Sequence, residues 1–103
     1  MGKKIVILPG ALSDMDAAAE FYENQEFNLG HEVYEFLKLQ TAALSETAGI
    51  HPKERGVYKW ALAGRFPYYT MFYRLKDDLV TVAAFIDGRR DPAHNRSLLK
   101  QRL

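Results

Sequence analysis

The side chains best suited to chemistry in this 103-residue chain are arginines and a few histidines. Arg65, Arg74, Arg89 and Arg90 carry guanidinium forks that can grip a phosphate or carboxylate through paired N–H donors. Arg89-Arg90-Asp91 is equally open to a local salt-bridged turn, which adds little stability. His31, His51 and His94 stand far apart with no paired spacing, so surface histidines are expected rather than a metal site. Cysteine is absent, which excludes disulfides, zinc-cysteine sites, iron-sulfur clusters and thiol chemistry. The sequence holds no G-x-S-x-G nucleophile turn and neither glycine-rich phosphate loop, although a Ser-His-Asp arrangement from separated residues stays open. No cofactor is expected.

Residues 48% hydrophobic and 26% charged are those of a folded chain, and the length fits one domain over 1–103. The formal net charge of +1 hides an asymmetry. Residues 1–49 hold three lysines against eight carboxylates, net −5, while residues 50–103 hold eleven Lys or Arg against five Asp or Glu, net +6. Two faces with different partners are implied, the basic one suited to phosphate or to an acidic protein. No stretch is long enough for a signal-peptide core or a membrane span, so the expected location is the cytoplasm and no membrane partner is expected.

The elements that position these residues follow from apolar spacing. Lys4 to Leu8 is a short β-branched run stopped by Pro9-Gly10 and reads as a strand within 1–8. From Ala11 to about Asn24, Leu12, Met15, Ala18, Ala19 and Tyr22 recur at helical spacing, with the start anywhere from Pro9 to Ser13 as cap. A second helix has Asn28 as N-cap, the stripe Leu29, Val33, Phe36, Leu37, Gln40 and Leu44, and Gly49 as its end. The short link makes 9–49 an αα-hairpin.

After a loop at 50–56 the period becomes two. Val57 to Leu62 puts Tyr58, Trp60 and Leu62 on one face. Tyr68 to Lys76 and Leu79 to Asp87 form a hairpin turning at Asp77-Asp78, so 57–87 is an antiparallel sheet. If Lys76 faces Leu79, then Leu75 meets Val80, Tyr73 meets Val82, Met71 meets Ala84 and Tyr69 meets Ile86, one apolar face for the helices to cover. The other face then carries Tyr68, Thr70, Phe72, Arg74, Thr81, Phe85 and Asp87. Aromatic and basic residues interleave from Tyr58 to Arg74, which cross-strand core packing explains more simply than a base-stacking platform. Residues 88–103 read as a basic tail, a single helical turn or a mobile end. The fold class is α+β: an N-terminal strand and an αα-hairpin packed on one face of an antiparallel sheet.

Ala17 to Gln25, Leu29-Gly30, Arg65-Phe66-Pro67-Tyr68, Phe72-Tyr73-Arg74 and the closing Gly88-Arg89-Arg90-Asp91-Pro92 stand in an order that resembles the RelE/ParE superfamily of bacterial type II toxins. The resemblance runs from about Ala11 to Pro92, and Ile7-Leu8-Pro9-Gly10 departs from the usual polar start of the family's first helix. It implies a toxin held inactive by a cognate antitoxin whose C-terminal segment wraps it as helix and strand. RelE-like members cleave messenger RNA on the ribosome, and ParE-like members, among them plasmid stabilisation toxins, poison DNA gyrase.

The departures favour the ParE-like branch. Thr70 stands where RelE-like nucleases place an arginine, Arg96 stands near their C-terminal tyrosine or histidine, and no tyrosine follows Tyr73. A net charge of only +1 also argues against direct nucleic-acid binding. The resemblance therefore implies a toxin that contacts gyrase, with no catalytic residue of its own. Arg65, Arg74, Arg89 and Arg90 are then the target- or antitoxin-binding residues. The enzyme alternative is a ribosome-dependent mRNA endonuclease using Arg90 and His94, and a third reading is a non-toxic relic that keeps only the antitoxin groove.

Overall fold

The computed structural model describes residues 2–103. Strand β1 (Lys4–Ile7) is followed by helices α1 (Pro9–Glu23) and α2 (Leu29–Thr47), then β2 (Lys53–Glu54), β3 (Val57–Ala61), β4 (Tyr69–Lys76), β5 (Leu79–Asp87) and helix α3 (Pro92–Arg102). The described residues form a sheet of order β1-β5-β4-β3-β2. The α+β expectation holds, with one addition: β1 lies parallel to β5, so the sheet is mixed. All other pairings are antiparallel.

Of the starts left open for α1, the structure takes Pro9 at the first helical position, where its missing N–H costs nothing. That phase buries Ala11, Met15, Ala18 and Tyr22 and leaves Leu12, expected inside, 41% exposed. Asn28 sits at the start of α2 as expected, but it is left-handed (φ 68°) and its side chain caps nothing. Glu23 does that work from the end of α1, its carboxylate accepting the Asn28 N–H at 2.9 Å and the Gly30 N–H at 3.0 Å. An acceptor placed against the positive end of α2 satisfies donors that the helix cannot.

The hairpin turns at Asp77-Asp78, with Asp77 left-handed (φ 54°). Its register runs as expected from Lys76↔Leu79 to Tyr73↔Val82 and then slips. A bulge opposite Phe72/Tyr73 inserts Ala83, so Met71 meets Phe85 rather than Ala84, and Tyr69 meets Asp87 rather than Ile86. Phe85 thereby joins Met71, Tyr73 and Val82 in the core beneath α1 and α2. Ala84 and Ile86 pack with Phe72 and Val57 on the outer face. The expected loop at 50–56 contains the short strand β2, which reaches β3 through Arg55-Gly56, both with positive φ, as a two-residue primed turn requires.

The tail is the largest departure. Residues 92–102 are three turns of helix rather than a basic tail, a single turn or a mobile end. Pro92 opens α3 and Asp91 caps it, accepting the Ala93 N–H at 3.0 Å. Leu98 and Leu99 then pack against the outer-face cluster.

One polar tie holds the end of α2 to the sheet. The hydroxyl of buried Tyr73 accepts the Gly49 N–H at 3.0 Å and faces Nδ1 of His51, whose ring stacks on Trp60 at 4.7 Å. Burial lowers the His51 pKa. Burial also raises that of Tyr73, against the opposing Gly49 N–H, so both rings are neutral near pH 7. Because the folded state prefers neutral His51, its contribution is full above the unfolded pKa of about 6.5 and is lost as pH falls through the lower folded value. The melting temperature is expected to fall more between about pH 7.5 and pH 5 in the wild type than in His51→Gln, which keeps an acceptor but cannot titrate. Parallel curves from thermal melts would remove His51 as the cause.

Candidate functional site

The chain leaves β5 through Asp87-Gly88-Arg89-Arg90, and the site is built around this exit. The Asp87 carboxylate accepts the Arg89 backbone N–H at 2.9 Å and two guanidinium bonds at 3.1 and 2.9 Å. The same guanidinium donates to the Tyr22 hydroxyl of α1 at 3.0 Å and lies 3.9 Å from the centre of the Tyr68 ring. The hydrogen bond to Asp87 raises the Arg89 pKa. Burial alone would raise the Asp87 carboxyl, but the Arg89 side-chain and backbone donors outweigh it and hold it below the usual range. Arg89 is thus a structural clasp between β5, α1 and Tyr68.

Arg90 differs. Its backbone N–H donates to the Asp87 carbonyl at 3.1 Å, while its guanidinium has no hydrogen-bond or ion-pair partner among the described residues. It is exposed at the mouth of a cavity of about 380 Å³ between α1 and α3. Asp14 and Phe21 line the cavity from α1, Phe85 from β5, and His94 and Asn95 from α3. Arg102 of α3 forms a two-pronged ion pair with the cavity-lining Asp14, one prong measuring 2.9 Å.

Arg89 and Arg90, expected as contact residues, and His94, expected beside Arg90 in the enzyme alternative, share one cavity. Arg65 and Arg74 do not line it. Arg65 pairs with Glu32 of α2 at 2.9 Å, and Arg74 lies on β4, its Nη2 3.5 Å from the Leu103 carbonyl. Asp14, Asn95 and Arg102 were not among the expected site residues. In the sequence Asp14 is one of the eight carboxylates of the acidic first half, and its partner stands 88 residues away.

This geometry separates two neighbouring arginines. Arg89→Ala is expected to cost about 1–2 kcal/mol, a figure kept small because the guanidinium is partly exposed and water screens its pair. Arg90→Ala should leave stability unchanged. Urea titrations of both variants check this, and equal losses would contradict the assigned difference.

No family model matches the chain, and no curated protein does. Among solved structures, a chain of the chromosomal ParDE TA system from P. aeruginosa superposes with a TM-score of 0.74 at 18% identity, covering 82% of this chain and 95% of that one. The fold is ParE-like. In this ParE-like fold, the Arg89 clasp and the cavity beside it lie where the sheet hands over to α3. Among the described residues no helix is long and apolar enough to cross a membrane.

Proposed function

We propose that this chain is the toxin of a type II toxin–antitoxin pair, acting by protein contact on DNA gyrase and neutralised by a cognate antitoxin. The observation that carries the reading is the ParE-like fold, which extends over 95% of a chain from a ParDE TA system. The surface fits a protein contact better than phosphodiester chemistry. Thr70, on β4, offers no cation where a RelE-like nuclease has an arginine. Arg90, exposed and without an internal partner, is available to a carboxylate on another protein. Arg89 presents Tyr68 and the β5 exit rather than itself, while Arg65 and Arg74 are contact residues outside the cavity.

Purified gyrase tests this reading directly. Loss of supercoiling with accumulation of cleaved plasmid, followed with and without ATP, is the expected result; no effect of folded protein in excess would overturn it. One observation favours a second reading: Arg90 and His94 line the same cavity, as an acid-base group and a phosphate-stabilising cation would. A ribosome-dependent endonuclease predicts codon-positioned cleavage of translated messages, abolished in His94→Ala. A relic predicts normal growth on induction together with tight antitoxin binding.

A further inference from the structure

The Arg89 clasp does more than join β5 to α1, because it fixes an aromatic ring at the surface. Tyr68 is 45% exposed, and the Arg89 guanidinium lies 3.9 Å from the centre of its ring. Three hydrogen bonds hold that guanidinium in turn, two to the Asp87 carboxylate and one to the Tyr22 hydroxyl, so the planar fork leaves the ring only by breaking them. The backbone of Tyr68 is held as firmly. Its carbonyl accepts the Gly88 N–H at 2.8 Å, and Pro67 before it has a fixed φ. Phe66, one residue earlier, is buried edge-on against Tyr22 and Phe36, with ring centres 5.2 and 5.4 Å apart. Ring and backbone are thus both set before anything binds.

Other exposed aromatic surface lacks this support. Phe27, between α1 and α2, is 90% exposed and has no ring or cation contact among the described residues. Tyrosine and arginine are enriched among the side chains that carry most of the energy of a protein contact, and one already held in place loses little entropy on binding.

The chemistry around Tyr68 selects what it meets. A cation against the ring makes its exposed surface a poor seat for a second cation and a good one for an apolar side chain. Arg89 is neutralised by Asp87, whereas the neighbouring Arg90 guanidinium is exposed and has no partner among the described residues. The Arg90 N–H, bonded to the Asp87 carbonyl at 3.1 Å, keeps that residue beside the clasp. The free charge of the patch is therefore positive, and the surface that matches it is an apolar side chain flanked by a carboxylate.

We infer that Tyr68 is the anchor of the contact with gyrase, its ring seated against an apolar side chain of the target whose neighbouring carboxylate meets Arg90, and that Arg89 is a positioning residue acting through Tyr68. The inference rests on the proposed action on gyrase and names the side chains that carry it.

The test is inhibition of purified gyrase by the complete chain, read as the concentration that halves supercoiling. Tyr68→Ala is expected to raise that concentration at least tenfold, and Tyr68→Phe, which keeps the ring, by less than twofold. Tyr68→Lys keeps bulk at this exposed site and should raise it as far as alanine does, which separates loss of the contact from a fold defect of one variant. Phe27→Ser should leave it unchanged. Arg89→Lys keeps the charge but loses the planar fork, and is expected to raise it about fivefold. Made on top of Tyr68→Ala, the same change should add less than twofold, because its effect passes through the ring. Wild-type inhibition matched by Tyr68→Ala and Tyr68→Lys would overturn the anchor while the gyrase reading stands. An Arg89→Lys effect that persists in full without the Tyr68 ring would overturn the positioning role. Absence of inhibition by the wild type would overturn the gyrase reading and this inference with it.

Discussion

Gly30→Ala is expected to destabilise this protein by about 3 kcal/mol, although alanine is the better helix former. On propensity alone the change inside α2 would stabilise by about 1 kcal/mol. The neighbour decides the sign. A Cβ on Gly30 would fall well inside van der Waals contact of the Ala19 carbonyl oxygen on α1, and 2.9 Å from the Cβ of Glu23. Both belong to α1, so the helix itself must move, and overpacking of this kind costs about 1–3 kcal/mol or more. Moving α1 also displaces Glu23, whose carboxylate holds the first N–H groups of α2, adding roughly 1 kcal/mol. Glu23→Ala removes only that cap and is expected to cost about 1 kcal/mol, so the two variants separate close packing from capping. Urea unfolding is the measurement: the midpoint of Gly30→Ala should drop with an unchanged slope. A midpoint at or above the wild-type value would show that the helices part without cost and that the contact does not hold the hairpin.

The Leu29-Gly30 pair was legible in the sequence only as part of a resemblance, and the reason for it lies in the other helix. The same limit explains what else could be read and what could not. Near the turn, Leu75 stands between Arg74 and Lys76, and Thr81 between Val80 and Val82, so alternation sets the register there. From Val82 to Ile86 every residue is apolar, alternation carries no phase, and a bulge at Ala83 leaves no mark in the pattern. Helix α3 shows its start plainly, as Asp91-Pro92, yet it buries only part of two adjacent leucines and has no periodic stripe to betray its length. Of the four expected arginines, Arg89 and Arg90 reached the cavity because the chain turns there, a local feature. Arg65 and Arg74 depend on where α2 and the end of the chain come to rest, which no local pattern encodes.

Asp14 is expected to matter more than the arginine it binds. Its carboxylate takes both prongs of Arg102 and also the Phe85 N–H that the bulge and the early end of β1 leave without a strand partner. Asp14→Ala strands a partly buried guanidinium and a backbone donor together, and is expected to cost about 3 kcal/mol. Arg102→Ala leaves the carboxylate on the Phe85 N–H and removes only the pin at the end of α3, for about 1 kcal/mol. The two should also differ in reach. Loss of Arg102 should raise amide exchange within α3 alone, since Leu98 and Leu99 are then its main hold on the outer face. Loss of Asp14 should raise exchange at Phe85 as well and lower the global unfolding midpoint. Equal costs, or exchange confined to α3 in both, would mean that the ion pair matters only as a latch and that the unpaired edge of β5 needs no stand-in acceptor. The expected inequality says the reverse: the carboxylate serves the sheet first, and α3 closes over the cavity because that carboxylate was already there to receive it.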